Sequence, residues 1–219
     1  MKCFKISLGL SFIVTIVGLL GVLFLGTFQS YAQLVCGFLW LAITAFRIKK
    51  GKLLKGKVSD YLAGRILLFI LMLFFGVAFV SPVRNGVPFQ YPYQMRYVDK
   101  FGYHNEFFPE ELPDKADNYE MNFMPSIMQG SGWTNVSFQT DADTIAKYIG
   151  KMETQECKAE VLAKHKGLSL LEPHLPEQIA NDLQGSCIYV VRFSDVWNHP
   201  HIECMVVKEE TGYVMFFEM

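Results

Sequence analysis

The chain has 219 residues, of which 51% are hydrophobic, and its formal net charge is −1. That value hides a strong asymmetry. Residues 1–83 carry nine Lys and Arg against one acid, for +8, whereas residues 84–219 carry eleven basic and twenty acidic residues, for −9. An acidic domain repels nucleic acid, so DNA or RNA is excluded as a partner of residues 84–219. This part has the usual size of one globular domain.

The first 83 residues have the composition of a membrane anchor. Residues 6–46 form a run of 41 residues without Asp, Glu, Lys, Arg or His. As a helix this run would be roughly 60 Å long, twice the hydrocarbon thickness of a bilayer. It therefore predicts a hairpin of two spans, about 6–26 and 32–46, that turns at the polar stretch 27–31. The charge-free run 66–83 predicts a third transmembrane helix.

The loop between the second and third spans predicts the orientation. Residues 47–65 contain seven Lys and Arg, and basic residues near span ends stay cytoplasmic. Lys2 and Lys5 place the N-terminus inside as well, so three spans put residues 84–219 outside the cytoplasmic membrane. Two alternatives remain. The stretch Ser30-Tyr31-Ala32 resembles a signal-peptidase site, and the basic loop could bind anionic lipid.

Residues 84–219 predict an exported α+β domain with a mostly antiparallel sheet backed by helices on one face. Residues 82–117, rich in aromatics and proline, are expected to be extended, irregular chain. The five predicted strands are 118–124, 133–139, 187–193, 201–208 and 213–219. The three predicted helices are 141–152, 154–166 and 176–183. Asp141 and Asp143 can cap the first of them.

Several short motifs in this domain resemble one protein family. They are the residues of 108–113 (FPEELP), 123–125 (FMP), 128–132 (MQGSG) and the closing turn 209–212 (EETG). Over about residues 107–219 they resemble an uncharacterised family of small membrane-anchored proteins of Gram-positive bacteria. The resemblance implies a location and a fold type, and no chemistry.

The pattern most suggestive of chemistry is His199-Pro200-His201-Ile202-Glu203. At a period of two, His199, His201 and Glu203 share one face of a strand, and two His with one carboxylate can hold Zn²⁺. The competing interpretation is the solvated face of an edge strand, which Pro200 favours. Glu172 and His174 could complete the site, form an acid/base pair or lie at the surface.

The cysteines of the exported part leave two alternatives open. Outside the membrane a disulfide is allowed, and Cys187 with Cys204, on neighbouring predicted strands, is the candidate pair. Cys157 and Cys204 also lie on apolar faces, where small buried thiols are common.

These patterns support three functional hypotheses. The first is a non-catalytic binding or accessory protein of the bacterial envelope, with a sensing, partner-binding or immunity-type role. Its partners would be the lipid bilayer and another envelope protein, and it would need no cofactor. The second is a membrane-tethered, zinc-dependent hydrolase that uses His199, His201 and Glu203. The third is a subunit of a larger membrane complex.

Overall fold

The computed structural model of the chain describes residues 2–49, 83–85, 87–103, 106–126, 132–196 and 199–219. The chain divides into two compact units, Met1–Val83 and Arg84–Met219, here called the helical unit and the α+β domain. The predicted third span lies outside the described residues except for Val83, as does the basic loop beyond Lys49. Val83 is the first residue of a β-strand, so a helical span cannot include it.

The helical unit contains two apolar helices, α1 (Lys2–Phe24) and α2 (Phe28–Lys49). They meet at the turn that the sequence predicts. Gly26 there adopts a positive φ of 61°, and the Thr27 hydroxyl accepts a hydrogen bond from the Ser30 backbone N–H at 3.2 Å, which caps α2. Among the described residues one helix is long and apolar enough to cross a membrane, over Gln29–Phe46, and a shorter apolar stretch covers Leu8–Phe24.

The α+β domain is built on an antiparallel seven-stranded sheet in the order β1-β2-β3-β7-β6-β5-β4. The strands are β1 (Val83–Asn85), β2 (Asp117–Met124), β3 (Trp133–Gln139), β4 (Ala159–Val161), β5 (Cys187–Val196), β6 (His199–Lys208) and β7 (Tyr213–Glu218). The α+β class and the antiparallel sheet are therefore confirmed. All five predicted strands form, each within two or three residues of its predicted bounds.

Helices cover both faces of this sheet, not one. Phe216 and Phe217 are neighbours on β7, so their side chains point to opposite faces. Phe216 packs against Tyr148 of α4 (Ala142–Thr154), with ring centroids 5.2 Å apart. Phe217 belongs to a buried cluster on the other face, together with Leu171 of α5 (Leu168–Leu171) and Ile179 of α6 (Glu177–Ala180). The sheet is thus the middle layer of three.

Two further local predictions are wrong. The predicted helix 154–166 does not form, because α4 ends at Thr154 and Glu156 takes a positive φ of 62°. The chain then turns to pair Ala159–Val161 with the edge of β5. The segment predicted to be irregular, 82–117, contains β1 and a helix, α3 (Tyr91–Asp99), which packs Tyr91, Met95 and Val98 into the core.

Candidate functional site

Strand β6, which carries His201 and Glu203, is not an edge strand, but its pairing with β7 reaches only to Ile202, so His201 is paired with β5 alone. Strand β6 has β7 on one side and β5 on the other. Pro200 is compatible with this position because backbone N–H groups alternate between the two neighbours along an antiparallel strand. The Ile202 N–H donates to the Met219 carbonyl, on the β7 side, at 3.0 Å. The nitrogen of Pro200 points to the same side, two residues beyond this pair, and in the register Pro200 is paired with Asp195 of β5.

The two side chains are in direct contact. His201 Nε2 lies 2.5 Å from Glu203 Oε1, and Arg192 of β5 approaches the same oxygen at 3.7 Å. Glu203 is buried, with 7% of its surface exposed, whereas the Arg192 side chain is 70% exposed. Glu203 thus orients the imidazole of His201. Its Oε1 atom is shared between this imidazole and the guanidinium of Arg192.

Glu203 belongs to a polar row that crosses four strands. In the register, Glu203 pairs with Arg192 on β5 and with Glu218 on β7, and Glu218 pairs with Thr134 on β3. Directly paired residues project from the same face of a sheet. Glu218 and Thr134 are buried as well, and the Thr134 hydroxyl makes no hydrogen bond. We call Arg192, Glu203, Glu218 and Thr134 the polar row.

Sequence reasoning found only Glu203 of this row and missed Arg192, Glu218 and Thr134. Glu218 and Thr134 come next to Glu203 only through strand pairing, and the strand order cannot be read from local patterns. One signal was present: Glu218 is the single charged residue in β7, whose other members are all apolar. A lone carboxylate in a fully buried strand indicates a specific environment for that charge.

The predicted zinc site is brought together only in part. His201 and Glu203 share a face and touch, while the side chain of His199 lies outside the described residues. Within the described ranges, no group of three or more His, Cys, Asp or Glu side chains could hold a metal ion. Zinc binding at Glu203 would have to compete with the contacts that His201 and Arg192 already make to its Oε1.

Glu172 and His174 do not complete that site, since His174 packs on the opposite face of the sheet. Its ring lies between Trp133 and Phe217, with centroid distances of 4.3 and 4.9 Å. Burial lowers the pKa of His174 below its ordinary value, because the apolar surroundings disfavour the charged form. The Asn135 side chain donates to the His174 carbonyl at 3.1 Å and holds this segment on β3.

The candidate disulfide is not formed in this structure. Cys187 and Cys204 are both free thiols. In the pairing of β5 with β6, Cys187 lies opposite Val207 and Cys204 lies opposite Val190. Positions 204 and 207 are an odd number of residues apart, so the two thiols project from opposite faces of the sheet.

Comparisons with protein-family models, with curated proteins and with solved structures find no match for the chain. The function is therefore argued from the residues and their geometry.

Proposed function

We propose that the chain is a membrane-anchored, non-catalytic binding or accessory protein of the bacterial envelope. In this proposal the helical unit crosses the cytoplasmic membrane, and the α+β domain meets a protein partner on the outer side. Sensing and immunity-type protection are two forms that such a role takes.

The main support for the proposal is that α1 and α2 bury polar side chains and expose apolar ones, the reverse of a helix pair in a water-soluble protein. Apart from Val14, the buried positions among the described residues of α1 and α2 are small or hydroxylated, including Ser11, Thr15 and Thr44. Their hydroxyls donate to backbone carbonyls within the same helix at 2.7 to 2.8 Å. The large apolar side chains face outward instead: Leu10, Phe12, Ile13, Ile16, Leu20, Val35, Phe38, Leu39 and Ile43.

This arrangement is typical of helices that pack in lipid, where small residues allow close approach and polar groups must be satisfied internally. Within Gln29–Phe46, 17% of the residues are buried. A core helix of a water-soluble domain buries most of such a stretch, so α2 is better suited to a lipid environment.

The orientation can be tested by cysteine labelling in intact cells with a membrane-impermeant thiol reagent. A single cysteine replaces either Ser59 or Lys115 in a chain from which the native cysteines have been removed. Labelling at position 115 and not at position 59 is the expected result. The opposite pattern would place the α+β domain in the cytoplasm and overturn the envelope role.

The binding role is supported by the charge of the domain surface. Residues 106–120 carry six acids and one lysine, and all six acids are exposed. This surface suits a partner with a basic face. A photo-crosslinking residue at Glu111 should capture one discrete protein in intact cells, while the same residue at Glu210, an exposed acid on another turn, should not. Equal capture at both positions, or at neither, would count against a partner at this surface.

A further inference from the structure

Helix α3 has an outward face with an unusual composition. Its inward face is formed by Tyr91, Gln94, Met95 and Val98, all of which are buried. Tyr93, Arg96 and Lys100 project from the opposite side, at the i, i+3 and i+7 spacing of one helical face. Phe89, one turn earlier, is also exposed. We call Phe89, Tyr93, Arg96 and Lys100 the aromatic–basic face.

The apolar part of this surface is larger than a single ring. Phe89 is 52% exposed and Tyr93 is 42% exposed, and Val87 and Phe101 extend the patch at 40% and 41%. Phe101 is held in place by Tyr97 and Phe123, with ring centroids 5.2 and 5.5 Å away. The Phe101 ring is therefore held by the core on one side and exposed on the other.

The charge of this segment is opposite to that of the rest of the domain. Residues 84–103 contain three basic residues and one acid, Asp99, for a net charge of +2. Residues 104–219 contain eight basic and nineteen acidic residues, for −11. Aromatic rings beside Arg and Lys are the composition of helices that lie in the headgroup region of a membrane.

The position of residues 84–103 in the chain also supports contact of this face with a membrane surface. Phe89 follows Val83 by six residues, and six extended residues span at most about 20 Å. A span that ends just before Val83 would therefore hold the aromatic–basic face close to the bilayer surface. Arg96 and Lys100 would add electrostatic attraction to an anionic lipid surface.

We propose that the aromatic–basic face of α3 rests on the outer surface of the membrane and binds anionic phospholipid headgroups. This inference rests on the proposed membrane anchor and deepens it. In this arrangement the α+β domain is bound to the membrane surface and does not move independently of it. Its acidic residues remain exposed to a partner. The alternative is that a protein partner covers the aromatic–basic face, and the test below distinguishes a lipid surface from a protein.

The test measures the immersion depth of spin labels on the full chain in protein-free lipid vesicles. Single cysteines, in a chain without native cysteines, replace Tyr93 on the aromatic–basic face, Lys158 on the exposed loop between α4 and β4, or Leu39 on α2. Vesicles are made of phosphatidylcholine alone or with phosphatidylglycerol. The label at 93 is expected to be more accessible to oxygen than to a water-soluble nickel reagent, and the label at 158 is expected to show the reverse.

The label at Leu39 separates failure of this inference from failure of the anchor. If 39 is immersed and 93 is as aqueous as 158, the docking proposal is overturned while the anchor stands, and a protein becomes the occupant to seek. If 39 is itself aqueous, both proposals fail.

Charge reversal tests the headgroup assignment. The double variant R96E/K100E should lose the immersion of the label at 93 in phosphatidylglycerol vesicles, and K158E, the matched control, should retain it. Equal immersion in the two kinds of vesicle would overturn the assignment to anionic headgroups.

Discussion

Glu203 and Glu218 lie directly opposite each other on β6 and β7, with both side chains on the same buried face of the sheet. The neighbouring pair, Ile202 and Met219, exchanges two backbone hydrogen bonds of 3.0 and 2.9 Å. The two glutamates therefore occupy a non-hydrogen-bonded pair, in which side chains come closest. Like charges in that arrangement destabilise a sheet unless other groups compensate.

His201 is the nearest compensating group, so its removal should destabilise the α+β domain. His201→Ala leaves a buried carboxylate with Arg192 as its remaining cationic contact at 3.7 Å, and should cost about 1–3 kcal/mol. His201→Gln keeps a donor and should cost less. Thermal unfolding of the full chain in lipid nanodiscs measures both. Equal stability of His201→Ala and the unaltered chain would show that the contact is not stabilising.

His174 should make the stability of the domain depend on pH. Its folded pKa lies below the ordinary value of 6.5, so the unfolded chain binds the proton more tightly. The contribution of neutral His174 to the free energy of unfolding is fully present above pH 6.5 and is lost as the pH falls through the folded pKa. His174→Phe keeps an aromatic ring between Trp133 and Phe217 and does not titrate. As the pH falls from about 7 to about 5, the melting temperature of the unaltered chain should therefore decrease more than that of His174→Phe.

The comparison of the two proteins cancels the titration of the other histidines. A difference in melting temperature that stays constant over this pH range would contradict the assignment to His174.

The strands were predictable because their signals are local. Tyr213–Glu218 follows the turn 209–212, in which Gly212 takes a positive φ of 68°. Asp141 caps α4, its carboxylate accepting from the Thr144 N–H at 2.9 Å. Both features depend on residues within a few positions of each other, so one sequence is enough to find them.

The errors arise where distant contacts decide the structure. Pro200 favours an edge strand by local rules, yet β6 lies between β5 and β7, and proline is tolerated because Pro200 lies outside the part of β6 that pairs with β7. In the aromatic-rich segment, Pro92 and the scattered rings suggested irregular chain. Pro92 falls in the first turn of α3, where proline is tolerated, and the rings divide between a buried and an exposed face. The polar row depends on strand order and was beyond sequence reasoning for the same reason.

The thiols of the domain should differ sharply in reactivity. Cys204 is fully buried, and burial raises the pKa of its thiol well above the ordinary value, whereas Cys187 is partly exposed. Since the thiolate is the reactive form, a maleimide reagent should modify Cys187 in the folded chain and Cys204 only after unfolding. Peptide mass spectrometry locates the label. Modification of Cys204 in the folded chain as fast as that of Cys187 would contradict the difference in burial.

Gly37 and Gly18 should be essential for the packing of α1 against α2. A Cβ atom at Gly37 would lie 2.7 Å from Thr15 Cα, and one at Gly18 would lie 2.7 Å from Leu34 Cα, both backbone atoms. Gly37→Val should therefore force the helices apart and cost about 1–3 kcal/mol. Gly9→Val is the matched control, since nothing lies within 4 Å of a Cβ there.

Distances between spin labels on the two helices, at Phe12 and Ile43, report this change in nanodiscs. Gly37→Val should lengthen or broaden the distance distribution, and Gly9→Val should leave it unaltered. Close approach of the backbones is what holds two helices together in lipid, where burial of apolar side chains contributes no driving force. An unaltered distance in Gly37→Val would mean that the small-residue contact does not set the separation of α1 and α2.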